Sequence, residues 1–388
     1  MTYPLESLRV LDLSRVLAGP YVGRLLADLG ADVVKLEPPE GDITRLWGRI
    51  RHGLSGYYTQ QNVGKRNVCL DLHAPGASDL ALRLAAAADV VIENFRPGVL
   101  ERLGLGWSRL SAANPGLVLL SISGFGQTGP GATRAAYAPI VHGESGLVAR
   151  QAAFDERSPS DPVLSIADTN AGLHGLVGVL SSLLLRARTG RGQHVDIAML
   201  DALFSADDYA HFTLDGVPIQ RGGGSVWEAT GGPVMLSGDF RWIWRQLVKV
   251  HGVTDPTPTG APLADKIRLR RQAARDFFCS FPDRASLLRA LEACGIAWGD
   301  VLTPEAAFRQ PAPLARGVTV EVDDRAGGTR TVVRSPYRFS GAESGVRRGA
   351  AYRGEHNSEV LEDWLAMTPD QIETLRDADI LQAEDPAA

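Results

Sequence analysis

The chain has 388 residues, which at roughly 150 residues per domain corresponds to two or three domains. Its 44% hydrophobic and 22% charged residues are typical of a soluble globular protein and exclude a disordered chain. The 40 basic residues are balanced by 45 acidic ones, so there is no overall basic field and we expect no nucleic-acid partner. The 42 glycines indicate many turns, or loops that bring backbone close to a ligand.

The cysteines and the N-terminal segment indicate a cellular compartment. Cys69, Cys279 and Cys294 are far apart in the sequence, so we expect neither a zinc site nor a disulfide framework. Residues 1–6 lack a basic region followed by an apolar run, and the most apolar stretch, 171–185, is too short to span a bilayer. We therefore expect a cytoplasmic protein that has no membrane association.

The first part of the chain alternates apolar strand-like runs with helix-like segments. A strand over 9–13 precedes a helix whose apolar residues recur at helical spacing and which ends near Gly30. The later segments with the same alternation are a strand at 31–36, a helix at 77–88, and strands at 90–92 and 117–123. This alternation predicts parallel βαβ units and an α/β fold.

A long helix is predicted over 169–186, followed by a strand at 194–199 and a helix at 200–212. Because the long helix is apolar on nearly all sides, we expect it to be buried.

Composition changes near Val217, where a glycine-rich segment indicates a domain boundary. We expect a large Rossmann-like domain built from both chain ends, with a small α+β domain inserted between them. The expected ranges are 1–216 for the N-terminal part of the large domain, 217–226 for a linker, 227–316 for the small domain, and 317–388 for the linker and return to the large domain. The returning segment is predicted to hold a strand pair and two short helices, the second opening with a capping box at Thr368.

The segment from Gly124 to Gly129 matches the pattern G-x-G-x-x-G and follows a strand, which by itself suggests a dinucleotide site. Pro130 and Gly131 come next, however, so no helix is expected to open there and receive a pyrophosphate. A glycine-rich loop that contacts a substrate at the end of a strand is the favoured interpretation.

Asp168 lies where the long apolar helix is expected to begin. One interpretation is structural, because aspartate is a favoured N-cap residue. The other is chemical, because a carboxylate kept ionised at a helix N-terminus can act as a covalent nucleophile. We see no metal-ligand spacing elsewhere, and His142, His174 and His194 are interpreted as packed or surface residues.

Several basic residues lie at the ends of predicted strands or in the loops that follow them. As a set at the carboxyl edge of a sheet they are suited to hold a phosphorylated ligand. They are Arg15, Lys35, Lys65, Arg66, Arg96 and Arg102.

An ordered series of short motifs resembles family III CoA-transferases of the CaiB/BaiF type. This family includes formyl-CoA transferase and carnitine CoA-transferase, and α-methylacyl-CoA racemase shares the fold. The resemblance runs from about Leu5 to Ile380. Its motifs include VLDLSR at 10–15, LADLGADVVKLEPP at 26–39, ENFRPG at 93–98, SGFGQTGP at 123–130, Asp168 with the preceding alanine, and GRGQ at 190–193.

The resemblance implies an interlocked homodimer and a reaction between an acyl-CoA and a small carboxylic acid, with no tightly bound cofactor and no metal. Asp168 falls on the family's catalytic aspartate, which forms an aspartyl anhydride and then an aspartyl-CoA thioester. The residues implied to contact CoA are Arg15, Val16, Leu17, Ala18, Lys35, Lys65, Asn94, Phe95, Arg96, Arg102 and Met199. The residues implied to line the substrate or to close over the intermediate are Tyr137, Gly124, Gly126, Gly222, Gly223 and Gly224.

Two departures from the family's pattern bear on the reaction. Leu17 stands where formyl-CoA transferase has a glutamine, and Tyr137 falls near the position of the racemases' catalytic histidine. A tyrosine phenol holds its proton too tightly to shuttle it at neutral pH, so a transferase is favoured over a 2-methylacyl-CoA racemase. A non-catalytic CoA-binding relative is a second alternative.

Overall fold

The structure is a computed structural model that describes residues 2–219 and 224–384. The chain forms two compact units. The first combines Met1–Asp208 with Gly317–Ala388, and the second is Tyr209–Arg316. The first unit is therefore built from both ends of the sequence.

The described residues form strands and helices in the following order. The strands are β1 (Arg9–Asp12), β2 (Asp32–Glu37), β3 (Ile50–Arg51), β4 (Leu54–Ser55), β5 (Arg66–Cys69), β6 (Val90–Glu93), β7 (Val118–Ser123), β8 (His194–Ala198), β9 (Gly224–Trp227), β10 (Val234–Ser237), β11 (Ala297–Asp300), β12 (Thr319–Asp323) and β13 (Thr329–Val333). The helices are α1 (Ala18–Asp28), α2 (Gly56–Asn62), α3 (Ala77–Ala86), α4 (Val99–Arg102), α5 (Trp107–Ala113), α6 (Ala138–Glu144), α7 (Leu147–Asp155), α8 (Ile166–Thr189), α9 (Met199–Ser205), α10 (Ala210–Leu214), α11 (Phe240–His251), α12 (Leu263–Cys279), α13 (Arg284–Ala293), α14 (Pro304–Ala307), α15 (Pro311–Ala315), α16 (Asn357–Leu365) and α17 (Pro369–Asp377).

The first unit is organised around a parallel sheet of six strands in the order β5-β2-β1-β6-β7-β8. The expected α/β class with a parallel sheet is confirmed. From β1 the chain proceeds outward through β2 to β5, and it then returns to place β6 on the other side of β1. The strand order therefore reverses between β1 and β6, and ligands of open α/β sheets bind at such a switch point.

Helices cover both faces of this sheet, as the apolar runs of its strands require. One core joins the sheet to α3, α16 and α17, and Leu84 and Leu361 are fully buried within it. The other core joins the sheet to α1, α6, α8 and α9, and Leu26 and Val179 are fully buried within it. Burial of these two faces provides the main stabilisation of the unit.

The helix α8 differs from the sequence expectation in one respect. Its Ala171, Gly175 and Val179 are buried against the sheet, but Val177 is 61% exposed and Leu184 is 72% exposed. Complete burial of this helix is therefore not achieved within the single chain, because only one of its faces packs on the core. The helix expected at 200–212 is also divided into α9 and α10, which fall in different units.

The C-terminal segment completes the edge of the sheet next to β5. The side-chain carbonyl of Asn357 accepts the backbone N–H of Cys69 at 2.9 Å. Farther along, Leu381 forms a β-bridge with Leu70. The capping box at Thr368 is confirmed, since its hydroxyl and the side chain of Gln371 each bond the other's backbone N–H.

The second unit packs α11, α12 and α13 around the antiparallel sheet β11-β10-β9. Its core contains the buried Phe278, whose ring meets Trp227 edge to face at 5.4 Å. In this unit Asp239 caps α11 by accepting the backbone N–H of Arg241 and Trp242.

Candidate active site

Two loops meet at the switch point of the sheet, and each leaves the carboxyl end of a strand. The loop after β1 presents Arg15, and the loop after β6 presents Asn94. The backbone N–H of Arg15 donates to the side-chain oxygen of Asn94 at 2.8 Å, and the Asn94 amide donates to the Arg15 carbonyl at 2.7 Å. The guanidinium of Arg15 also lies 5.8 Å from the centre of the Phe95 ring. These reciprocal bonds fix the two loops to each other.

A network of buried ionic groups bonds to the loop after β1 and holds it in place. Lys35 at the end of β2 donates to the Ser14 carbonyl at 2.6 Å and pairs with Asp42 at 3.4 Å. Asp42 in turn accepts the backbone N–H of Val16 at 3.1 Å. Burial would raise the pKa of Asp42, but Lys35 and several hydrogen bonds outweigh it, so the pKa of this carboxyl is lowered. The network therefore keeps its charges, and it bonds to the loop backbone at Ser14 and Val16.

Val16 has a backbone conformation that is rare for its side chain. Its φ is +69°, in the left-handed region that a β-branched residue seldom adopts. The hydrogen bond from its N–H to Asp42 holds this geometry. Strained residues of this kind are concentrated at functional sites.

A cavity of about 700 Å³ opens beside these loops. Of the residues predicted to contact CoA, it is lined by Arg15, Lys35, Phe95 and Arg102. Its volume lies within the range of sites for drug-sized ligands and cofactors. The structure thus brings four of the predicted residues together around one concave surface.

Lys65 lies elsewhere in the network and is 2% exposed. Its ammonium donates to Asp12 at 2.7 Å, to the Asn62 side chain at 2.8 Å and to the Pro20 carbonyl at 2.9 Å. Burial lowers the pKa of Lys65 to about 8, although Asp12 acts in the opposite direction. All three of its N–H groups are engaged within the protein.

The remaining predicted contacts are spread around the start of α1 and the neighbouring strands. Leu17 is the buried N-cap of α1, and Ala18 is the first residue of that helix. Met199 is buried at the start of α9, immediately after β8. Arg96 is exposed in the loop after β6 and is not among the residues that line the cavity.

Asp168 is the third residue of α8 and is not its N-cap, a position that Ser165 occupies. Burial raises the pKa of the Asp168 carboxyl to about 6, and this effect is partly offset by a hydrogen bond from the backbone amide of Ala18. The carboxyl therefore faces the start of α1, directly after the loop that lines the cavity. Tyr57 also lies near Asp168. Burial raises the pKa of the Tyr57 phenol to about 12, and the negative charge of Asp168 adds to this effect.

The glycine-rich segment after β7 runs as a loop into α6. Residues 124–137, all of them described, contain no helix, which agrees with the weak case for a dinucleotide site. Gly126 has a φ of +86°, and a Cβ at Gly124 would lie 2.3 Å from that of Ala136. Tyr137 ends this loop and is 66% exposed.

The second glycine segment is only partly described. Gly222 and Gly223 lie outside the described residues. Gly224 is the first residue of β9 and pairs with Ser237. Gly224 is therefore part of a strand in the second unit.

From the sequence, no role is predicted for Asp42, Glu93 or Tyr57, and His142 is interpreted only as a packed or surface residue. Glu93 is 3% exposed, and its carboxylate accepts the backbone N–H of Phe95 at 2.7 Å. Its position directly before Asn94, within the ENFRPG motif, was the available signal. Among the described residues no group of three or more His, Cys, Asp or Glu side chains is arranged to hold a metal ion.

The sequence matches the model of CoA-transferase family III over residues 5–357. It is 31% identical to succinyl-CoA–D-citramalate CoA-transferase of Chloroflexus aurantiacus, over 96% of this chain and 97% of that protein. It is 34% identical to succinate–glutarate CoA-transferase of Agrobacterium fabrum, over 92% of this chain and 95% of that protein.

The fold is also similar to a crystal structure of a CaiB/BaiF family protein from Brucella suis. The TM-score is 0.81 at 31% sequence identity, covering 94% of this chain and 100% of the other. These similarities favour a transferase over the racemase alternative. The chain therefore belongs to CoA-transferase family III and is an enzyme of the CoA-transferase class.

Proposed function

We propose that this enzyme moves CoA from an acyl-CoA to a free carboxylic acid and that Asp168 is its covalent nucleophile. The observation that carries the proposal is a largely buried carboxyl at the start of α8 that faces the amide of Ala18. A pKa of about 6 leaves this carboxylate ionised at neutral pH, and partial desolvation makes it a better nucleophile than an aspartate in water.

The reaction begins when an Asp168 oxygen attacks the thioester carbonyl of the donor. The carbon–sulfur bond breaks, CoA leaves as a thiolate, and a mixed anhydride remains on Asp168. The thiolate then attacks the Asp168 side-chain carbonyl, releasing the donor acid and leaving an aspartyl-CoA thioester. An acceptor carboxylate attacks this thioester and expels CoA thiolate once more.

In the last step the thiolate attacks the acceptor carbonyl of the second anhydride. The acceptor leaves as its CoA thioester, and the Asp168 carboxylate is regenerated. Each step produces an oxyanion, which backbone amides stabilise most effectively when they are fixed in place. The Ala18 amide faces the carboxyl of Asp168 and is the described donor best placed for this role.

The CoA moiety is proposed to occupy the cavity between the loops after β1 and β6. Arg15 and Arg102 would supply positive charge for its phosphates, and Phe95 an aromatic surface. Lys35 lines the same cavity, but it is 1% exposed and bonded to Ser14 and Asp42. We therefore assign Lys35 to holding the loop in place, with the arginines making the direct contacts.

The substrates are proposed to be short dicarboxylic acids and their CoA thioesters. The names of the two relatives include succinate or succinyl-CoA together with D-citramalate or glutarate. We propose the same chemical class here, with succinyl-CoA as the first donor to test.

We also propose that the enzyme works in the cytoplasm as an interlocked homodimer and that its two compact units are the large and small domains. The exposed apolar face of α8 supports the dimer. Leu173 is 42% exposed, and Val177 and Leu184 are more exposed still. Exposed apolar surface on a helix packed against the core is typical of an interface between proteins.

The test incubates the purified protein with succinyl-CoA and a panel of carboxylic acids, and mass spectrometry identifies any new CoA thioesters. We expect Asp168→Asn to abolish transfer and Asp155→Asn, which alters an exposed carboxyl on α7, to leave it unchanged. Hydroxylamine should trap the wild-type intermediate as a hydroxamate at Asp168. Full transfer by Asp168→Asn would overturn the assignment.

A further inference from the structure

The imidazole of His142 lies between two elements of the candidate site and is fully buried. Its Nε2 accepts the backbone N–H of Ala167 at 3.1 Å. Its Nδ1 lies 2.8 Å from a carboxylate oxygen of Asp161. Ala167 directly precedes Asp168. The hydrogen bond from Ala167 to His142 therefore links α6 to the residue next to the proposed nucleophile.

These two contacts determine which nitrogen carries the proton. Because Nε2 accepts a hydrogen bond from a backbone N–H, it is unprotonated. The proton of the neutral ring is then on Nδ1, which donates it to Asp161. Asp161 thus selects the only neutral tautomer of His142 that can bind Ala167.

The hydrogen bond to Ala167 replaces an ordinary helix cap. Within the described chain, the hydroxyl of the N-cap residue Ser165 makes no capping hydrogen bond. The backbone N–H of Ala167 is one of the donors that an α-helix cannot satisfy internally, and Ala167 is itself fully buried. The imidazole therefore supplies from α6 the acceptor that the local sequence of α8 does not provide.

This cap lies immediately before Asp168 in the first turn of α8. Asp168 occupies the next position of the first turn, where the backbone direction is set by the bonds of its neighbours. The side chain of Asp168 also faces the amide of Ala18 on α1, so a small rotation of the first turn would change that approach. Displacements of about 1 Å at a reacting group reduce rates by roughly a hundredfold.

We propose that His142 and Asp161 are positioning residues that orient Asp168 for attack on the thioester. His142 is completely buried and acts through Ala167, so it does not touch the substrate. This inference rests on the proposed role of Asp168 and adds two residues to it.

The test compares two amides that imitate different nitrogens of the imidazole. The side-chain oxygen of His142→Gln reaches the place of Nε2 and can accept from Ala167. The shorter His142→Asn reaches only the place of Nδ1. We expect kcat to fall about 10- to 100-fold in His142→Asn, with KM for acyl-CoA within about threefold of the wild type, and to be largely restored in His142→Gln.

A second variant addresses the tautomer without altering the buried ring. Asp161 is 44% exposed, so Asp161→Ala should fold, and we expect it to lower kcat about tenfold without a matching change in KM. Asp155→Ala serves as the control, since it removes an exposed carboxyl on α7. Thermal unfolding of every variant separates lost activity from lost folding.

The two proposals fail in different ways. Equal kcat values for His142→Asn and His142→Gln, or an unchanged kcat in Asp161→Ala, would overturn the positioning role while leaving Asp168 as the nucleophile. Full transfer activity in Asp168→Asn would overturn both proposals.

Discussion

Gly172 lies one turn after Asp168 and packs directly against the first residue of α1, Ala18. A Cβ added to Gly172 would lie 3.0 Å from the carbonyl oxygen of Ala18 and 3.1 Å from the ring of Tyr21. The absence of a side chain at Gly172 therefore lets the N-terminal turns of α1 and α8 come together. This approach brings the amide of Ala18 to Asp168.

Gly172→Ala should separate these two turns and lower kcat about tenfold, while destabilising the protein by about 1–3 kcal/mol through overpacking. Gly143→Ala is a matched control, because Gly143 is also helical and an added Cβ would meet no atom of the described chain within 4 Å. That control should keep its activity and gain about 0.5–1 kcal/mol of stability. Equal activity in the two variants would contradict the proposed contact.

The raised pKa of Asp168 predicts a trade-off between stability and activity. The folded protein binds the Asp168 proton more tightly than the unfolded chain, because the pKa is about 6 when folded and 3.8 ordinarily. The free energy of unfolding therefore decreases as pH rises through this window, and it remains reduced above pH 6. Asp168→Asn removes the ionisable group, so it also removes this reduction in the free energy of unfolding.

We expect Asp168→Asn to be inactive and yet more stable than the wild type at pH 8, by roughly 1–3 kcal/mol. The difference should shrink as pH falls from about 6 to 3.8, and it should vanish below 3.8, where the wild-type carboxyl becomes protonated in both states. Urea unfolding of both proteins at several pH values measures the difference between their free energies of unfolding. A stability difference that does not vary with pH would refute the burial of a reactive carboxylate.

Lys65 allows a structural role to be distinguished from binding of CoA. Lys65→Met leaves the fully buried Asp12 without its closest cation, and we expect it to lose about 3–5 kcal/mol of stability. The double variant Asp12→Leu/Lys65→Met removes both charges and should recover much of that loss. Unchanged thermal unfolding in Lys65→Met, together with a raised KM for acyl-CoA, would instead identify Lys65 as a CoA contact.

Glu93 organises the loop that lines the cavity, since it accepts the backbone N–H of Phe95. Burial raises the pKa of Glu93 to about 7, although Ser121 and that N–H oppose the effect. Glu93→Ala removes the acceptor, and we expect KM for acyl-CoA to rise about tenfold while kcat changes little. Glu93→Gln retains an acceptor and should stay close to the wild type in KM at pH 6. A fall in kcat alone in Glu93→Ala would exclude this role.

The sheet could be predicted from the sequence because its strands are short apolar runs between helical segments. The runs at 9–13 and 117–123 correspond to β1 and β7 within one residue at each end. Burial on both faces makes the centres of these strands apolar, and that pattern is local. The same local signal misjudged α8, since an apolar surface does not reveal whether its own chain covers it.

The site could be predicted only where a residue's chemistry is set by its neighbours in sequence. Asp168 was identified, but its relation to His142 depends on α6 and α8 meeting in space. Lys65 was also identified from the sequence, but its contacts within the protein were not. Its position just before β5 does not reveal its partner Asp12, which is 53 residues away and pairs with it in the core.

The bond between Asn357 and Cys69 has a consequence during synthesis of the protein. It joins residues 288 positions apart, and at about 5–20 residues per second a ribosome needs roughly 15–60 s to cover that distance. Throughout that time the β5 edge of the nascent sheet has unpaired backbone groups, which are a template for association with other strands. We therefore expect the N-terminal half to be most prone to aggregation before the C-terminal segment emerges and covers this edge.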